Sequence, residues 1–104
     1  MKVNLHGKEL KANFHQYNNG RLAIELTCND EGYEERWTVA TINIPEIKLG
    51  ENQVIIKNYS ENEGVLDALI EAGIVSKPIN FVQISGFVHA PVCELEVENP
   101  FAGE

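Results

Sequence analysis

The chain has 104 residues, 43% of them apolar, and a formal net charge of −8 from 16 acidic and 8 basic side chains. That length suits a single domain over residues 1–104 with one modest core. The charge argues against direct binding to nucleic acid or an anionic membrane, whose phosphates would repel it, and suits solubility or a basic protein partner.

No window approaches the ~18 apolar residues of a membrane span. The opening MKVNLHGKEL has no secretory apolar core, so a cytoplasmic protein is expected. Residues 2–28 read as a three-stranded antiparallel meander. A two-residue turn at Gly7-Lys8, glycine first as a type II′ turn requires, sets Leu5 opposite Leu10 and Val3 opposite Ala12. At the next turn, a two-residue loop would oppose Phe14 to Glu25. A three-residue loop, Asn18 to Gly20, instead pairs Phe14 with Ile24 and Ala12 with Leu26, keeping one apolar face. The longer loop is therefore expected, with Gly20 in the left-handed region.

Asn29-Asp30-Glu31-Gly32 is a polar turn. The β-branched run 35–44 reads as a strand whose facing is ambiguous. Trp37 and Val39 claim one side and Ala40, Ile42 and Ile44 the other, which calls for a bulge or two-sided burial. Pro45 ends it, an extended loop follows, and Val54-Ile55-Ile56 forms a short buried strand.

Residues 59–75, YSENEGVLDALIEAGIV, predict a helix at about 61–72. Ser60 and Glu63 fit a capping box. Val65, Leu66, Leu69, Ile70 and Ala72 fall on one broad face, with Leu66, Leu69 and Ile70 expected to be buried. Gly73 suits a left-handed C-terminal residue with Ile74 packing back, and Pro78 stops continuation. Gly64 in the first turns costs about 1 kcal/mol against alanine, which hints at a close backbone approach.

Beyond the helix, residues 79–85 are apolar on both faces, as in a central strand covered on each side. Gly86 and Ala90-Pro91 interrupt the path around Phe87-Val88-His89. Cys93, Leu95 and Val97 then alternate with Glu94, Glu96 and Glu98 as a half-buried strand with an acidic outer face. The tail 99–104 is expected to fray. The sum is an α+β fold, a mainly antiparallel sheet of about five to seven strands with one packed helix. A small, partly open barrel plugged by the helix is the alternative.

Little in the chain suggests chemistry. His6, His15 and His89 have no metal-ligand spacing to Cys28 or Cys93, and there is no CxxC, HxH, HExxH or phosphate-binding glycine loop. The thiols sit in apolar-alternating runs and are expected to be reduced and buried. His6 and His15 belong on the solvent side of the meander, although a cluster of the histidines and cysteines in space stays open. No catalytic residue, metal ligand or cofactor is expected. Glu63, Asp67 and Glu71 recur every fourth residue as an acidic stripe, the candidate docking surface for a partner. Like charges at that spacing cost about 0.2–0.5 kcal/mol per pair.

The runs IIKNYSENEGVLDALIEAGIV, KVNLHGKELKANFHQYNNGRLAIEL and GFVHAPVCELEV together resemble a family of small, functionally uncharacterised bacterial proteins. That family is often encoded on plasmids, conjugative elements or phages. The resemblance covers nearly the whole chain and implies a bacterial cytoplasm and an accessory role on a mobile element. It brings no catalytic residue. The expected function is a non-enzymatic, acidic protein-interaction module. A sharper version is an anti-defence protein that mimics DNA phosphate. The alternative is a small-molecule or metal-binding domain around His89, Cys93 and Trp37.

Overall fold

A computed structural model describes residues 1–30 and 32–101, with Asp30 described by its main chain only. The fold is α+β, built from two antiparallel sheets and a short helix. The strands are β1 (Lys2–Leu5), β2 (Lys8–Gln16), β3 (Leu22–Asp30), β4 (Tyr33–Val39), β5 (Gln53–Ile55), β6 (Asn80–Ser85) and β7 (Val88–Glu94). One sheet runs β1-β2-β3-β4 and the other β5-β7-β6, in place of a plugged barrel.

The first hairpin corrects the expected register. Val3 faces Leu10 and Leu5 faces Lys8, so the turn is His6-Gly7, with φ of 51° and 78°. Positive φ at both positions is the type I′ requirement. The shift is two residues, and with a side-chain period of two it leaves the same apolar face inward. His6 tolerates its left-handed backbone where its Nε2–H donates to the Glu63 carbonyl at 2.7 Å. The second turn forms as the apolar pairing predicts. Phe14 faces Ile24, Ala12 faces Leu26, and Gly20 has φ 86°.

After β3 the pairing continues to Asp30 facing Tyr33; Glu31 of the expected polar turn lies outside the described residues. The ambiguous run 35–44 divides between the sheets. The register shifts between Leu26–Thr38 and Thr27–Arg36, leaving Trp37 as a bulged extra residue. Trp37 is half-exposed and lies under Lys8, whose Nζ is 5.4 Å from the ring centroid. The chain then crosses to the second sheet. Ala40 N–H donates to Ile24 O, Lys57 N–H to Ala40 O and Ile42 N–H to Ile55 O.

Val3, Leu10, Ile24, Leu26, Ile56, Leu69 and Cys93 belong to one buried core between the sheets and helix. A second cluster lies on the far face of the smaller sheet. There Ile55, Ala90 and Val92 are covered by Ile42, Ile44, Ile47 and Leu49 of the extended loop, with Val82 and Ile84. Arg21 pins this loop through donations to the carbonyls of Ile44 and Ile47.

Three further expectations are corrected. Residues 80–85 form an edge strand instead of a central one, because only Val82 and Ile84 are covered while Phe81 is exposed. The centre of that sheet is β7, which runs through Pro91. Proline has no N–H to donate there, and its carbonyl still accepts from Ile56 N–H at 2.9 Å. The tail does not fray at its start. Asn99 Nδ2–H donates to Glu51 O and Phe101 packs on the core; residues 102–104 lie outside the described ones.

Candidate functional site

The helical region is two pieces. Ser60–Asn62 form a 3-10 turn and Val65–Glu71 form the α-helix, α1. The break falls at Glu63-Gly64, where Gly64 takes φ 95°. A β-carbon on Gly64 would stand 3.1 Å from His6 Cε1. The close approach that a glycine in the first turns suggests is therefore real, and its neighbour is the His6-Gly7 turn.

The capping box does not form. Ser60 has φ 56°, and neither helical piece has a side-chain cap on its N-cap residue. Asn58 Oδ1 takes over, accepting from Leu66 N–H at 2.9 Å. Asn62, fully buried, ties the 3-10 turn to β4. Its Oδ1 accepts from Thr38 Oγ1 at 2.6 Å and its Nδ2 donates to Val39 O at 2.8 Å. Nothing local in the sequence distinguishes Asn62, which falls inside the expected helix, as a buried anchor.

The C-terminal end forms as its sequence predicts. Gly73 (φ 76°) donates to Ile70 O, and buried Ile74 donates to Leu69 O, a Schellman arrangement. The inward face is narrower than expected. Val65, Ala68 and Leu69 are buried, Leu66 and Ile70 are half-buried, and Ala72 is exposed.

Glu63, Asp67 and Glu71 all point to solvent. Only Asp67 and Glu71 stand on α1, one turn apart; Glu63 is presented by the turn before it. Among the described residues none of the three carboxylates has a hydrogen-bond or ion-pair partner. Glu63 and Asp67 line an open groove with His6, Asn58, Ser60 and Glu61. Glu61 is neutralised, since Lys57 Nζ lies 2.5 Å from its carboxylate. The hydrogen bond from Lys57 holds the Glu61 carboxyl below its ordinary value. The acidic character continues beyond α1. Glu96 N–H donates to Ile74 O at 2.8 Å, bringing the exposed Glu94, Glu96 and Glu98 alongside the helix end.

The histidines and cysteines do not converge. His6 sits at the helix entry. His15 lies on the first sheet, 3.3 Å from Glu25, which also accepts from Arg36 Nε at 2.8 Å. The Arg36 hydrogen bond is the main reason the Glu25 carboxyl sits below its ordinary value. His89 is exposed, whereas Cys93 is sealed in the core and Trp37 belongs to the other sheet. Among the described residues no group of three or more His, Cys, Asp or Glu could hold a metal ion.

Both thiols are free and buried, as their alternating runs predict. Burial pushes the Cys93 thiol up to about 11, and a thiol rather than a thiolate is a poor nucleophile. We expect neither Cys28 nor Cys93 to react with a disulfide reagent at pH 8 until the protein is unfolded. Spectrophotometric thiol titration with and without denaturant checks this, and a native thiol that titrates within minutes would contradict it.

Among the described residues no helix is long and apolar enough to cross a membrane. Comparison with protein-family models, curated protein sequences and solved structures returns no match.

Proposed function

We propose that this chain is a non-enzymatic protein-interaction module that docks a basic partner on the acidic face of Glu63, Asp67 and Glu71. The observation that supports this reading is three exposed carboxylates, unpaired among the described residues, on a segment anchored from behind. Leu69 anchors the helix in the core, the Schellman turn closes its end, and Asn62 fastens its start. Such a surface steers an oppositely charged partner and sets orientation more than it supplies raw affinity. The resemblance to bacterial mobile-element proteins makes an accessory role in a bacterial cytoplasm part of the same proposal.

The test is charge reversal. Asp67→Lys/Glu71→Lys should change folding stability by no more than about 0.5 kcal/mol, because both side chains face water. The same variant should lose a basic host protein that the parent chain retains at low salt and releases at high salt. Its association rate should fall most at low ionic strength. Thermal melts and binding kinetics separate the effects. Unchanged binding by the reversed variant would remove this face from the interaction.

A further inference from the structure

The open edge of β6 has a character unlike the rest of the surface. Residues 79–93, INFVQISGFVHAPVC, contain no Asp, Glu, Lys or Arg in a chain of net charge −8. Ile79 is 50% exposed, Phe81 59% and Phe87 102%, all on β6 or beside it. Edge strands are ordinarily protected by charged side chains or proline, and Asn80–Ser85 carry neither.

The main chain of this edge is directed outward. Pro91 turns its carbonyl toward β5, where it accepts from Ile56 N–H. Facing residues of an antiparallel pair alternate between exchanging hydrogen bonds and turning away from each other. Phe81, which faces Pro91 across β6–β7, therefore directs its own N–H and C=O away from β7. Gln83, two residues on and still in register with His89, does the same.

We propose that two copies of this chain pair antiparallel through β6, about a two-fold axis at Val82, and so merge two small sheets into one. With the axis on a residue, Phe81 comes opposite Gln83 of the second copy. Those are the two positions whose main-chain groups point outward, so each can donate to and accept from the other. The same register sets Ile79 opposite Ser85 of the second copy, next to that copy's Phe87 turn. The exposed apolar groups at the two ends of the strand then cover one another. Charge selects the second copy as occupant. Two molecules of charge −8 repel over most of their surface, and this edge lets them meet without a carboxylate in the seam. A basic partner gains nothing from it.

Sedimentation equilibrium of the full chain across a concentration series tests the pairing. The parent chain should shift toward twice its 11.6 kDa mass as concentration rises. Phe81→Lys, which sets a charge on the seam at an exposed position, should stay at the monomer mass with the same circular dichroism and melting curve. Amide exchange at Phe81 and Gln83 of the parent chain gives a readout independent of any variant, and protection there should rise with concentration. A parent chain that is monomeric at its highest soluble concentration overturns the proposal. So does a Phe81→Lys dimer, or exchange at the two amides that is independent of concentration. Protection appearing only when a different protein is added also overturns it, and assigns the edge to that protein.

Discussion

Leu69→Ala should lower folding stability by about 2–5 kcal/mol, the range for emptying a buried leucine site. Leu69 is 0% exposed and shares the main core with Val3, Leu5, Leu10 and Ile74. Its carbonyl also receives the Ile74 N–H that closes the helix end. A helix of 7 residues has little stability of its own, so the core cannot close over the space without moving it. The loss is a large part of the roughly 5–15 kcal/mol available to a domain. Urea unfolding of the two proteins measures it. A change under about 1 kcal/mol would mean that α1 does not anchor the core as described.

The second large effect belongs to Asn62. Replacing it by alanine empties a fully buried site and takes their partner from the Thr38 hydroxyl and the Val39 carbonyl, both on half-buried residues. Partial access to water sets the expected cost at the lower end of the roughly 1–3 kcal/mol for each buried group left unpaired. Truncation also frees the 3-10 turn from β4, so Glu63 and the His6 contact to its carbonyl should lose their fixed position. The measurement is again denaturant unfolding, with amide exchange over residues 60–66 as the local readout. Exchange there should accelerate more than in β2 or β3. An Asn62→Ala protein as stable as the parent would show that the side chain is a passenger.

These two residues differ in how far the sequence alone could identify them. Leu69 sits on an apolar face with helical spacing, and that spacing placed it inward. Asn62 looks like one more polar residue in a turn-rich run. Its burial depends on β4, more than twenty residues earlier, presenting a hydroxyl and a carbonyl at the right place. The acidic face divides likewise. Spacing placed Asp67 and Glu71 outward together, but the separate presentation of Glu63 follows from a break that only the His6-Gly7 turn and Asn62 explain.

By itself the sequence determined the features set within a few residues by backbone geometry or by alternation. These are the three-residue loop that brings Phe14 to Ile24, the Schellman close at Gly73-Ile74, the two inward thiols, and the outward row Glu94, Glu96 and Glu98. Tertiary structure alone decided what depends on a distant partner. A two-residue slip in the first hairpin preserves the apolar face, so the pattern could not choose between registers, and His6 bonding to Glu63 accompanies the one observed. The apolar run 80–85 reads the same at a sheet's centre or edge, and it became an edge because β7, with Pro91 in it, occupies the middle. Periodicity records which side chains avoid water, but not which neighbour covers them.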